Sequence, residues 1–589
     1  AYLSRFNFSG NDQGTYMMSS FKEGNYNTLN TSLNISQDLG FLTKGLSVKA
    51  LVNFKNWSES TYNRSITPYY YKVKDGSYDS ESNQYELQTL QTGSDYVSQS
   101  GISKSADQTF YFDFRADWKR SFGDHNLTAM LMYMMREYRS DVLPNRNQGY
   151  SGRLTYDYSS RYLFEFNFGY NGSERLASGE RFEFFPAASV GWVVSSEKFW
   201  EPMSKYVDHL KLRASYGLVG SDETGLSAGA QHFLYIDQVS LNNIGFTTGV
   251  DMNYTLYGPL VTNYAVVNGG WERVKKLDIG IDLELFRQLT ITADYFNEKR
   301  YNILLHREAW PESLGYYTAK PWSNKGKVDN WGIELSVNWR KEFTKDLYVD
   351  FRGNFTYTEN KYVNLDEPVY PYVWKTSTGK PLSRTTGYIA QGLFSSQEEI
   401  DNSPTQNLGS TVKPGDIKYR DVNGDGKIDG SDQVMISPYG TTPRIQYGLG
   451  MNVTYKKFDF GVFFNGSAKR TIMISGISPF GQSDYNVMQF IADDYWSESN
   501  PNPNAKYPRL GLTSSQTANN TVASTYWMRN GNFIRFKTLE LGYKFKYGRV
   551  YLNGDNIAVF SPFKLWDPEL SWNAYPLQRT FNIGVQLNF

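Results

Sequence analysis

The chain has 589 residues, 60 Lys+Arg against 60 Asp+Glu, and no cysteine. Zero net charge leaves no electrostatic footprint for nucleic acid, and the missing thiols exclude disulfides, thiolate metal sites and a cysteine nucleophile. A mean hydropathy of −0.55, with no apolar run near the roughly 18 residues that a spanning helix needs, excludes a helical membrane protein.

The aromatic content points elsewhere. Aromatics make up 16% of the chain, with 46 Tyr, 37 Phe and 14 Trp, which suits two interfacial girdles better than a soluble enzyme. A soluble chain of this length divides into several cores, yet no linker or composition shift interrupts one strand-and-turn texture. Residues 1–589 are therefore expected to form part of a single domain.

In chain order, the first clear hairpin sets Phe110, Phe112, Phe114, Ala116 and Trp118 against Leu127, Ala129, Leu131, Tyr133 and Met135 across Gly123-Asp124. The next runs Leu154, Tyr156, Tyr158, turns at Ser159-Ser160, and continues Tyr162, Phe164, Phe166, Phe168, Tyr170. Its other face carries Glu165, Asn167 and Gly169. A third joins Leu277, Ile279, Ile281, Leu283 to Leu289, Ile291, Ala293, Tyr295 across Arg287-Gln288. The chain closes on Phe581, Ile583, Val585, Leu587 and Phe589, each separated by a polar residue or glycine. A period of two over about ten residues is what a tilted strand needs to cross a bilayer with one face in lipid and one in a wet lumen. Roughly 16 to 18 such strands fit the range of outer-membrane barrels. Strands this long, and loops beyond about 15 residues, argue against a soluble sandwich or propeller.

Short connections fall at 121–125, 159–160, 287–288, 341–345, 456–457 and 546–548; long ones fall at 56–106, 220–270, 305–327, 361–441, 467–531 and 557–577. The two classes alternate from residue 272 onward, which places the C-terminus with the short, periplasmic turns and the long loops outside.

One local motif carries chemistry. Residues 421–432 read DVNGDGKIDGSD, the spacing of a calcium loop. Asp421, Asn423, Asp425 and Asp429 supply oxygens, Lys427 a carbonyl, Asp432 the twelfth position, and Gly426 the sharp turn. Asp at position twelve, where sensors use a bidentate Glu, shortens the arm and makes Mg²⁺ the alternative to Ca²⁺. The expectation is a structural ion that rigidifies an extracellular loop at 413–435, against the plain alternative of an unmetallated Asx-rich turn. The histidines His125, His209, His232 and His306 stand singly. No pattern picks out a general acid and base, so no enzyme is expected. Loop aromatics at Tyr69-Tyr70-Tyr71, Tyr316-Tyr317, Trp322 and Tyr370–Trp374 could stack on sugar rings or peptide side chains, or simply pack as girdle residues.

Six segments in order resemble one family, the SusC-like (SusC/RagA) TonB-dependent transporters of Bacteroidetes: Leu210–Gly217, Asn324–Glu334, Gly415–Gly426, Asn502–Arg509, Trp527–Lys537 and Tyr575–Phe581. The resemblance implies a barrel of roughly 22 strands, an N-terminal plug, a TonB-contacting segment and a SusD-like surface lipoprotein lid. It makes Phe589 the terminal aromatic read by the insertion machinery. No plug-like region or TonB box is found, so the chain is expected to be the C-terminal barrel portion of a longer polypeptide. The function so implied is TonB-dependent import of a glycan or oligopeptide across the bacterial outer membrane, in contact with outer-membrane lipid, with a dimer of transporter–lid pairs as one expected assembly. A barrel anchoring a surface binding or adhesion function and a passive porin are the alternatives.

Overall fold

The computed structural model describes residues 20–588, except 68, 100, 225–232, 267–268, 312, 314–319, 475–486, 512, 571–573 and 576. Phe589, His232, Tyr316 and Tyr317 lie outside the described residues. The chain divides into two compact units, residues 1–118 with 130–150, and residues 119–129 with 151–589.

In the first unit Ser20–Asp38 pairs antiparallel with Leu46–Ser65 along its whole length. Leu46–Ser65 then pairs on its other side with Ser103–Phe122. The second unit is an up-and-down meander of twelve strands: Tyr162–Ser173, Phe182–Val193, Val207–Ser221, Glu272–Leu285, Leu289–His306, Trp322–Thr344, Leu347–Asn364, Ile445–Tyr455, Phe458–Ala468, Phe533–Phe545, Gly548–Phe560 and Thr580–Leu587. Each is antiparallel to the next. With Ser20–Asp38, Leu46–Ser65, Ser103–Phe122, His125–Arg139 and Asn145–Tyr158, the long strands outside the loops number 17 among the described residues, inside the expected range.

Alternation sets the two faces of this sheet. Ile279 faces Tyr295, and Tyr295 in turn faces Ile333; all three are exposed. The opposite face pairs Lys276 with Glu298, and Glu298 with Asn330. A one-residue slip would exchange the faces, so the pattern fixes the register. Aromatic pairs bracket the apolar face. Tyr158–Tyr162 and Phe458–Tyr543 lie near the tight turns, and Tyr170–Phe182 and Trp331–Tyr357 near the long loops.

The connections of the second unit alternate in length from 222–271 to the end, in line with the alternation anticipated from residue 272 onward. One departs from expectation: 194–206, on the tight-turn side, is lengthened by two short 3-10 segments, Val194–Ser196 and Lys198–Met203. Another long connection, 222–271, carries its own hairpin, Gln238–Thr248 with Tyr254–Asn263.

Candidate functional site

The core of the second unit lies in its long loops rather than its sheet. Segments from 385–441, 487–531 and 561–566 pack Tyr388, Ile417, Tyr419, Ile428, Ile491, Trp496, Tyr507, Trp527 and Phe563 into one buried cluster. Short strands bind it. Ala390–Leu393 pairs with Ile417–Tyr419, Thr385–Gly387 with Val434–Ser437, and Thr405–Gln406 runs parallel to Lys427–Ile428.

Through this cluster runs a polar network with almost no access to water. Asp416 and Asn520 are fully buried. Arg509 Nε lies 2.6 Å from Asp416 Oδ1, and Arg509 Nη2 donates to Oδ2 at 3.1 Å. Asn520 Nδ2 and the Lys413 backbone N–H also donate to this carboxylate, at 2.7 and 2.8 Å. Gln406 Nε2 donates to Asn519 Oδ1 at 2.7 Å, and its own amide oxygen accepts from the Tyr419 N–H at 2.7 Å. A buried charge survives only with such partners, so this network fixes the module's geometry. Burial pushes the Tyr419 phenol well above its ordinary range.

The segment Asp421–Asp432 sits on the module's edge. Gly424 and Gly426 adopt left-handed φ of +76° and +80°, which turns the chain as the motif requires. The Asp421 carboxylate accepts from the N–H groups of Gly424 and Gly426, at 2.7 and 2.8 Å. Asp425 accepts from the Lys427 N–H at 2.9 Å and from Asn423 Nδ2 at 2.9 Å. Asp432 is buried and accepts from the Val422 and Asp429 N–H groups, at 2.8 and 2.9 Å. Asp429 accepts from the Ser431 N–H at 2.7 Å, and that N–H, with the Ser431 hydroxyl, holds its carboxyl below the usual range. The loop thus has the turn geometry and the oxygen donors of the motif, while each of its four carboxylates already accepts backbone N–H groups. Among the described residues, no group of three or more His, Cys, Asp or Glu converges as a metal cluster.

Sequence reasoning missed what braces this loop. Trp374 Nε1 donates to the Ser431 carbonyl at 2.8 Å, Tyr372 OH accepts from Asn423 Nδ2 at 3.1 Å, and Lys375 donates to the Gly430 carbonyl. Tyr372 and Trp374 stack with centroids 4.7 Å apart. The aromatic run 370–374 was legible as a cluster, but not as the neighbour of residues 421–432.

Below the module, the polar face of the sheet carries charges of both signs. Arg213 meets Asp278 and Asp282 at 3.3 Å and Asp294 at 2.6 Å. Lys276 meets Glu298 at 2.7 Å, and Arg300 meets Glu272 at 2.8 Å. Gly280 leaves room for this cluster: a Cβ there would come within 2.3 Å of Asp294 Oδ1 and 2.5 Å of Arg213 Cζ and push those side-chain ends aside. A cleft of about 600 Å³ opens here, lined by Glu272, Glu298 and Arg300 together with Leu304, Leu305 and Val328. Among the described residues the histidines are not gathered: His125 meets Tyr156 and His306 packs on Trp322.

A long antiparallel meander with one apolar and one charged face, bearing a loop module at one end, is the architecture of a membrane barrel. A family model described as TonB dependent receptor-like, beta-barrel, matches residues 2–557. The chain belongs to this family. Among its relatives, TonB-dependent receptor SusC of Bacteroides thetaiotaomicron is 28% identical over 484 residues, covering 77% of this chain and 45% of SusC. TonB-dependent receptor P3 of Formosa agariphila is 26% identical over 478 residues, covering 74% of this chain and 45% of its own. The chain spans about half the length of these curated relatives. A solved structure described as the RagAB peptide importer in the 'open-open' state superposes with a TM-score of 0.71 at 17% identity, covering 99% of this chain and 64% of that one. TonB-dependent receptor barrels of this kind are outer-membrane proteins, and the relatives are receptors and transporters rather than enzymes. The barrel expectation and the SusC-like resemblance therefore stand.

Proposed function

We propose that this chain supplies the barrel and outer loops of an importer that takes up an oligopeptide or glycan too large for passive entry. The observation that carries the reading is a buried, hydrogen-bonded loop module set at the long-loop end of a sheet whose polar face is lined with paired acidic and basic side chains. Such a face can hydrogen-bond hydrophilic cargo, while the leucines and valine of the cleft can take its apolar side chains. The paired charges along it, Arg213 with its three aspartates and Arg300 with Glu272, favour a zwitterionic oligopeptide. Likeness to a transporter described as importing peptides points the same way.

The tight turns and the C-terminus face the periplasm in this reading, and the module faces outward, where a SusD-like lipoprotein closes over the cargo. Energy comes from TonB, engaged by a part of the protein outside this chain. The Asp421–Asp432 loop holds a structural Ca²⁺, with Mg²⁺ the alternative. Asp421, Asn423, Asp425 and Asp429 offer side-chain oxygens, Lys427 offers a carbonyl, and Asp432 gathers the loop's own N–H groups.

The test is uptake of fluorescent oligopeptides and oligosaccharides by cells making the complete protein. Uptake of one class that a protonophore abolishes supports active import. Uptake unchanged by the protonophore overturns it in favour of passive passage. For the ion, elemental analysis of the purified protein should find bound Ca²⁺ or Mg²⁺ that is lost in the Asp421→Asn, Asp425→Asn double variant. Unchanged divalent-ion content in the variant removes the assignment.

A further inference from the structure

The tight-turn rim of the second unit carries a feature that neither import nor the loop module uses. Arg120 lies over the Phe122 ring at 4.8 Å, Lys205 over Tyr206 at 5.7 Å, Lys341 over Phe343 at 5.3 Å, Lys456 over Tyr455 at 5.5 Å, and Lys546 over Tyr547 at 4.9 Å. The five aromatics are between 46% and 62% exposed among the described residues. Phe122, Phe343 and Tyr455 continue the apolar face of their strands beyond Trp118, Trp339 and Val453, while Tyr206 and Tyr547 sit in the turns themselves. None of the five cations makes an ion pair among the described residues.

Neighbouring turns show that this is not for want of pairing geometry. Where a carboxylate is in reach the cation takes it, as Arg161 does with Glu197 at 3.8 Å and Arg287 with Asp208 at 3.3 Å. At the other five turns the positive head has no carboxylate partner among the described residues, and three of the rings, Phe122, Phe343 and Tyr455, lie on the face that strand alternation assigns to lipid. An aromatic at the acyl boundary beside a Lys or Arg at headgroup depth is the arrangement that holds a chain below and a phosphate above.

We propose that this row binds the phosphodiester headgroups of anionic glycerophospholipid, one cation and one ring to each lipid. The occupant follows from charge complementarity and from continuity with the lipid-facing apolar surface. Phospholipid rather than lipopolysaccharide is chosen on the reading that the tight turns face the periplasm; transport itself is not needed.

The complete protein, delipidated and reconstituted in vesicles of mixed phosphatidylglycerol and phosphatidylcholine, is re-extracted and its retained lipid counted by native mass spectrometry. Wild type should retain phosphatidylglycerol in preference. The combined variant Arg120→Gln, Lys205→Gln, Lys341→Gln, Lys456→Gln, Lys546→Gln should lose that preference by about threefold or more. Exchanging Lys and Arg at the same five positions should keep it, and heat-modifiable migration on gels separates a folding failure from lost binding. Equal preference in wild type and the Gln variant, both folded, overturns the proposal. So does protein from native membranes that carries lipopolysaccharide at these positions, lost in the variant, in place of phospholipid. Either result leaves the import reading untouched, since that is judged by uptake alone.

Discussion

Replacing Arg509 with Met tests whether the buried network holds the loop module together. The Asp416 side chain is 0% exposed and that of Arg509 14%. Removing the guanidinium strands a carboxylate in the protein interior. Losing one partner of a buried pair costs ~3–5 kcal/mol, and the lower end applies because Asn520 and the Lys413 N–H still donate to Asp416. About 3 kcal/mol is a factor of about 150 in a local opening equilibrium. Hydrogen exchange followed by mass spectrometry should show amides of 413–420 and 517–527 exchanging faster by about that factor, while strands such as Leu289–His306 keep their protection. Adding Asp416→Asn to the same chain should recover part of the loss, because no charge is then stranded. Unchanged exchange in Arg509→Met, or a double variant as open as the single one, would refute the argument.

Three further outcomes follow from the same geometry. Gly415 has φ of +85°, and a Cβ there would sit 2.2 Å from the Trp496 ring, so Gly415→Ala should destabilise the module by about 3 kcal/mol, read as faster proteolysis within 400–420. Glu399 accepts from the Ser395 N–H and hydroxyl and from Lys418, which holds its carboxyl down at about 2 against an ordinary 4.5. Its folded value is the lower one, so its contribution is complete above about pH 4.5 and fades as pH falls toward 2. With the side chain 31% exposed, screening leaves about 1 kcal/mol, and Glu399→Gln should flatten the pH dependence of local exchange in that window. Arg213→Met leaves Asp278, Asp282 and Asp294 without their shared cation; the heat-modification midpoint of the barrel should fall, and adding Asp294→Asn should restore part of it.

The sheet was legible because period-two alternation is a property of single strands, and one residue of slip would turn Ile279 or Tyr295 to the wrong side. Several turns were legible only by default. Ser159-Ser160 and Phe286-Arg287 both run with positive φ at two successive non-glycine residues, the backbone of a type I′ turn without its Asn-Gly signature. Their identity came from the strands on either side. The loop module was not legible as a folded body. Its strands are two to four residues long, too short to show a period. Its decisive contact joins Asp416 to Arg509 across 93 positions. Both residues lie in segments that carried the SusC-like resemblance, so sequence marked the pieces without disclosing that they meet. The left-handed glycines of the 421–432 loop were legible from its calcium-loop spacing, but nothing local revealed that Tyr372, Trp374 and Lys375 brace it.

The most direct test of the central claim is gentle purification of the complete native protein, with mass spectrometry of everything that accompanies it. An importer predicts a surface lipoprotein in equal amount and a bound oligopeptide or oligosaccharide. A barrel that comes alone, with no lid and no cargo, contradicts the account.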